Sequence, residues 1–256
     1  TEPEAGSDAG GVRTTAVRDG DEWVLNGTKV FITNGSVADL VIVMARTDSD
    51  SGSRDFTTFL VRKGTMGFTY GTLEKKMGIG ASDTSELIFE DVRVPDYMRL
   101  GEIGEGFRIA MVSLDGGRIG IAAQAVGIAR AALEESIAYS KEREQFGRPL
   151  ARFQAIQWTV AEMATRIEAA RHLTLHAAQL KDRGLPFTKE ASMAKLYASE
   201  TATWAGIKAV QIHGGYGYTK DYPVERFMRD AKITEIYEGT SEVQRLVIAR
   251  ELLKGG

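Results

Sequence analysis

The stretch with the greatest capacity for chemistry is IYEGTSEVQ, residues 236–244. Glu238 stands between a bulky aromatic, Tyr237, and Gly239, immediately before an apolar helical pattern. Free N–H groups at a helix start attract anionic or partly charged ligand groups. A Gly-flanked carboxylate beside such a start can act as a base on a bound substrate. The same residues also fit a plain structural use. Ser241 followed by Gln244 matches a capping box, which leaves Glu238 as a solvated loop carboxylate. Asp115 and Arg118 in LDGGR lie three apart and share a helix face, as an ion pair or as a charged ligand contact. His172 and His176, four apart, could clasp a metal, but no HExxH arrangement accompanies them, and a partly exposed helix face suits them better.

Composition narrows the classes that need consideration. The 256 residues are 43% hydrophobic and 26% charged, the balance of a globular protein with a sizeable core. With 32 basic and 35 acidic residues the net charge is −3, which gives no support to nucleic-acid binding or to a membrane-surface role. The chain has no cysteine, so disulfides, thiolate catalysis and Cys-based metal sites are excluded. No apolar run reaches the 18 or so residues of a membrane span, and no signal segment opens the chain. A bacterial cytoplasmic or mitochondrial-matrix location fits this pattern.

Two kinds of element must position these residues. The first hundred residues read as β-structure. EWVLNGTKVFIT holds two β-prone runs around Asn26-Gly27, a dipeptide that favours the tight turn of a hairpin. DLVIVMART, FTTFLVRK and TSELIFEDVRVP are further strand candidates, for six to eight strands in all by the strand rules. After GEIGEG the pattern becomes helical. One helix is predicted from Phe107 to about Glu142, ended by EQFGRPL. A second carries the stripe Ile156, Val160, Met163, Ile167, Ala170, Leu173, Ala177 and Leu180. Thr188 can cap a third, running to about Ile212; a short helix near Glu225–Ala231 and a last one from about Glu242 follow the Gly-rich HGGYGYTKDYP. The predicted fold class is α+β: an antiparallel, barrel-like β-domain over residues 1–103, then an antiparallel helical bundle over 104–256.

Six segments together carry a resemblance: TEPEAGSD at 1–8, NGTKVFITNG at 26–35, FEDVRVP at 89–95, REQFGRPL at 143–150, QIHGGYGY at 211–218 and RDAKITEIYEGTSEVQR at 229–245. In this order and spacing they resemble the acyl-CoA dehydrogenases, and the C-terminal half is most similar to the short-chain, butyryl-CoA-type members. The resemblance implies α,β-desaturation of an acyl-CoA thioester, with Glu238 removing the pro-R α-proton and the β-hydrogen passing as hydride to FAD. It also implies that the enolate-like charge is stabilised by the Glu238 N–H and a ribityl hydroxyl. Isovaleryl-CoA-type members carry the base on the first long helix instead; the matching position here is Gly117, so the YEGT pattern is the one satisfied.

The same resemblance assigns the other site residues. Thr1, Phe31, Ile32 and Thr33 would lie against the flavin, with Thr240, Ser241 and Glu242 completing its contacts. Arg143, Gln145, Phe146 and Gln154 would reach the pyrophosphate and adenosine of a neighbouring subunit's FAD, Arg being suited to phosphate by its planar fork. Gln211, Ile212, His213, Gly214 and Gly215 would bring backbone close to that FAD. Ser7 would contact the CoA thioester arm, Asp115 and Arg118 the CoA moiety, and Tyr237 and Gly239 the acyl pocket. No GxGxxG follows a first strand, so FAD would be held without a Rossmann unit. The implied partners are acyl-CoA, an electron-transfer flavoprotein and the chain's own copies in a tetramer built as a dimer of dimers. Family members also carry an N-terminal helical domain of roughly 120 residues before TEPEAGSD, a size typical of one domain, so the resemblance implies the expectation that these residues are the surviving part of a longer protein. An acyl-CoA oxidase using dioxygen, and a non-catalytic relative that uses the fold for binding, are the competing readings.

Overall fold

Period-2 burial organises the first hundred residues of the computed structural model, which describes residues 1–47 and 55–254. Along β3 (Leu40–Thr47), Val41, Val43, Ala45 and Thr47 are buried and the residues between them are not, the alternation a half-buried strand requires. β1 (Thr15–Asp19), β2 (Glu22–Thr33), β4 (Phe56–Arg62), β5 (Phe68–Leu73), β6 (Thr84–Pro95) and the short β7 (Arg99–Leu100) complete one sheet in the order β5-β6-β2-β1-β3-β4-β7. All its neighbouring strands are antiparallel except β1 and β3. Trp23, Leu25, Phe59, Leu87, Phe89 and Val92 form the centre of its core. Among the described residues the hydrogen-bonded strand order runs from β5 at one end to β7 at the other.

The turn expected at Asn26-Gly27 is not a turn. Both residues lie inside β2, where a register shift between Leu25 and Gly27 marks a bulge against β6. Gly27 has φ +149°, and a Cβ there would lie 2.5 Å from Thr14 Oγ1, so close backbone approach, not chain reversal, demands this glycine. The hairpin is one turn earlier, at Gly20-Asp21 between β1 and β2, with Gly20 at φ +62°.

The helical part comprises α1 (Gly106–Glu142), α2 (Gln154–Asp182), α3 (Thr188–His213), α4 (Val224–Ile233) and α5 (Ser241–Leu253). Its core is lined by small residues. α3 buries Ala191, Ala194, Ala198, Ala202, Ala205 and Ala209 at helical spacing against Met163, Ile167, Ala170 and Ala177 of α2. A two-residue hairpin, β8 (Glu144–Gln145) and β9 (Arg148–Pro149), separates α1 from α2. HGGYGY is not structureless: Gly214–Tyr218 form a 3-10 turn.

Two expected caps are corrected. Thr188 is the first helical residue of α3, not its cap, and its hydroxyl donates to Asp115 Oδ2 at 2.6 Å. The cap of α5 is Thr240, whose side chain accepts from Val243 N at 3.3 Å; Ser241 lies within the helix, its hydroxyl buried without a partner. By contacts the chain divides into two compact units, Thr1–Lys76 with Gly80–Ser113, and Met77–Ile79 with Leu114–Gly256. In the second, Ile79 N donates to Asp230 Oδ1 at 2.6 Å and Arg229 donates to Met77 O at 2.8 Å, tying the 77–79 segment to α4.

Candidate active site

The segment between α4 and α5 is wound tightly by its own carbonyls. Tyr237 N donates to Ile233 O at 3.2 Å and Ser241 N to Glu235 O at 2.9 Å. Glu238 then adopts φ +56° and Gly239 φ +89°. For glycine this costs nothing, and a Cβ at 239 would meet Gln244 Nε2 at 2.7 Å. For glutamate the left-handed conformation costs about 1–3 kcal/mol and persists only where the surroundings over-determine it.

Three side chains supply that determination. Gln244 Nε2 donates to the carbonyls of Glu238 (3.1 Å) and Gly239 (2.8 Å). Lys195 Nζ, from α3, donates to Gly239 O at 2.7 Å. Arg118 Nε, from α1, approaches Glu238 O at 3.4 Å, while its Nη1 donates to Asp115 Oδ1 at 2.6 Å. Gln244 and Lys195 are 0% exposed and Arg118 5%. This frame presents the Glu238 carboxylate over Gly117 of α1, where an added Cβ would lie 2.7 Å from Oε2. The two positions considered for a base therefore converge on one point, and a side chain at 117 would displace the carboxylate. Burial pushes the Glu238 carboxyl above its usual range, with the Arg118 and Lys195 charges pulling the other way. Among the described residues, no backbone carbonyl accepts from the Glu238 N–H. Tyr237 is fixed beside it by donating its hydroxyl to Gln124 Oε1.

A second group assembles around a cavity of about 540 Å³, lined among others by Arg143, Gln145, Ile212, His213, Gly214 and Gly215. Ile212 and His213 are buried; the His213 ring stacks on Tyr139 at 4.2 Å and its Nδ1 pairs with Ala209 O, so its side chain serves the core. Phe146 stands 94% exposed at the hairpin tip with φ +52°; Gln154 and Gln211 are exposed and are not among the residues lining the cavity. Glu242 is exposed in the first turn of α5. In the other unit, Thr1, Ser7 and Thr33 are exposed, Ile32 is half-buried, and Phe31 is 63% exposed with φ +58°. Val30 N donates to Thr1 O at 3.0 Å, which seats Thr1 beside β2. His172 and His176 are exposed on α2.

Sequence reasoning passed over Lys195 and Gln124, and read Gln244 only as part of a capping box. For Lys195 a signal existed: it is a lone charge inside the alanine stripe of α3. The buried pair of Glu2 and Lys29 had no such signal. Its two residues are far apart in the chain, and Nζ lies 2.7 Å from Oε1.

Comparison with known proteins places the chain in a family. The family model described as acyl-CoA dehydrogenase, middle domain, matches residues 1–92, and the one described as acyl-CoA dehydrogenase, C-terminal domain, matches 104–253. The chain belongs to the acyl-CoA dehydrogenase family. That family consists of flavin-dependent oxidoreductases. A relative named acryloyl-CoA reductase (NADH), from Anaerotignum propionicum, is 57% identical over 99% of this chain and 65% of its own length. The solved structure of butyryl-CoA dehydrogenase from Megasphaera elsdenii superposes with TM-score 0.97 at 55% identity, over 99% of this chain and 67% of that one. A structure titled as the electron transferring flavoprotein of Acidaminococcus fermentans gives TM-score 0.97 at 57% identity, over 99% and 67%. The chain thus spans about two thirds of the length of these relatives. Among its described residues no helix is long and apolar enough to cross a membrane.

Proposed function

We propose that the protein carrying this chain performs FAD-dependent α,β-dehydrogenation of short-chain acyl-CoA thioesters to trans-2-enoyl-CoA, with Glu238 as the base. The observation that carries the reading is the strained, framed turn that holds a half-buried carboxylate of raised proton affinity over Gly117. A solvated loop glutamate needs neither strain nor three buried side chains beneath it.

The residues present suit a flavin. Phe31 and Thr33 offer an exposed ring and hydroxyl on β2, and the Arg143 cavity offers a guanidinium beside glycine backbone, the donor set a pyrophosphate takes. FAD, when bound, supplies the hydride acceptor. Glu238 takes the α-proton on its carboxylate, and the elevated affinity that burial confers improves the match to so weak a carbon acid. The Glu238 N–H, which no backbone carbonyl among the described residues takes up, is available to the thioester oxygen as negative charge develops there. Tyr237 and Gly239 border the acyl chain, and Ser7, Asp115 and Arg118 serve the CoA side. Thr1 and Ile32 pack at the flavin edge with Thr240, Ser241 and Glu242. Gln145, Phe146, Gln154, Gln211, Ile212, His213, Gly214 and Gly215 attend the adenosine-diphosphate end, in a homotetramer that passes electrons to an electron-transfer flavoprotein. The acryloyl-CoA reductase relative favours one second reading, the same residues working in the direction of reduction, with Glu238 delivering the α-proton. Anaerobic mixing of the FAD-loaded protein with butyryl-CoA tests the proposal. Bleaching of the flavin with formation of crotonyl-CoA is expected; an unchanged flavin spectrum contradicts it.

A further inference from the structure

Lys195 is a charge where helix packing calls for none. It sits in α3 between Ala194 and Ala198, 0% exposed, on a buried face made largely of alanine and serine. Lysine is almost never fully buried unless paired, because desolvating an ammonium is costly. No carboxylate forms an ion pair with it among the described residues, and its one hydrogen bond there is to a main-chain oxygen, Gly239 O at 2.7 Å. That oxygen closes the left-handed turn at Glu238 and Gly239. Gln244 reaches the same oxygen from α5, so one carbonyl is gripped from two helices.

We infer that Lys195 is a positioning residue for the base: its ammonium locks the Glu238–Gly239 turn that presents the Glu238 carboxylate. This rests on Glu238 being the base. The groups facing Lys195 are Arg118 of α1, Glu235 and Glu238 of the turn, and Glu242 of α5. Burial draws its own pKa down to about 8, with Arg118 acting in the same direction and the three carboxylates opposing. Lys195 is therefore mostly charged at pH 7, and its positive charge opposes the burial that raises the carboxyl of Glu238. Gln244 performs the mechanical half of the task without the charge.

Two variants of the FAD-loaded protein, Lys195→Met and Gln244→Met, separate the roles. Both remove a hydrogen bond to the turn, and both should slow single-turnover flavin reduction by butyryl-CoA about tenfold or more while leaving thioester affinity within about threefold. Only Lys195→Met should move the pH dependence of that rate to higher pH, because only it removes a charge. Amide hydrogen exchange at residues 237–241 should quicken in both. A Lys195→Met protein with the wild-type rate, pH profile and exchange would overturn the inference. If Lys195→Met does not fold, a Gln244→Met protein with unaltered rate and exchange overturns the turn lock. Exchange needs no turnover, so an inactive wild type would sink the proposed reaction while still deciding whether Lys195 holds the turn.

Discussion

Glu238 gathers its chemistry from position more than from residue type. Burial makes its carboxyl harder to ionise, and the base is competent only when ionised. The rate of flavin reduction should therefore rise with pH through a midpoint above the 4.5 of an ordinary glutamate. Stability runs the other way. A carboxyl whose folded pKa is raised holds its proton longer when folded, so stability falls as pH climbs from 4.5 through the raised value. Glu238→Gln should thus unfold in denaturant at a midpoint no lower than wild type at neutral pH, and a clear loss of stability would contradict this account of the turn. YEGT exposed the carboxylate in the sequence, and Gly117 was legible as the competing position. Lys195 left a signal, a lone charge inside an alanine stripe, but helical periodicity by itself reads a single lysine as a solvent-facing residue, so its role beneath the turn did not show.

At the scale of elements, the β-unit hangs its N-terminal segment on one buried pair. Glu2 accepts from Arg13 N (2.6 Å), Thr14 N (3.1 Å) and Lys29 Nζ (2.7 Å), and Lys29 also donates to Met44 O at 2.7 Å. Burial alone would raise the Glu2 carboxyl; hydrogen bonds from Lys29, Thr14 and Arg13 outweigh it and hold the pKa down to about 2. That stabilisation is complete above 4.5 and is lost as pH falls toward 2. Removing one partner strands a buried charge, so Lys29→Met should cost about 3–5 kcal/mol in urea unfolding, and the double variant Glu2→Gln, Lys29→Met distinctly less. Equal losses would show that the pair is not coupled. The elements themselves were largely readable from periodicity, with α1 to α5 near their predicted bounds. Asn26-Gly27 misled because the dipeptide signals positive φ, and a bulge inside a long strand uses positive φ as readily as a turn does. The pairing of Glu2 with Lys29 depends on which strand lies beside the N-terminal segment, and no local pattern carries that information.

At the scale of the whole molecule, the proposed FAD site calls on copies of the chain. Arg143 is exposed beside the glycine backbone of Gly214 and Gly215, with its guanidinium 5.6 Å from the Tyr216 ring centre. If it reaches FAD phosphate from a partner, Arg143→Ala should weaken FAD binding about 10–100-fold, the worth of a charge-assisted contact, and sedimentation should show an oligomer in the wild type. A monomer with full FAD content would contradict the shared site. The central claim remains the base, and single-turnover flavin reduction of the Glu238→Gln protein by butyryl-CoA tests it most directly. Loss of a general base should slow reduction by roughly 10²–10⁴-fold with FAD and thioester binding retained. Reduction at the wild-type rate would mean that the proton leaves to some other group.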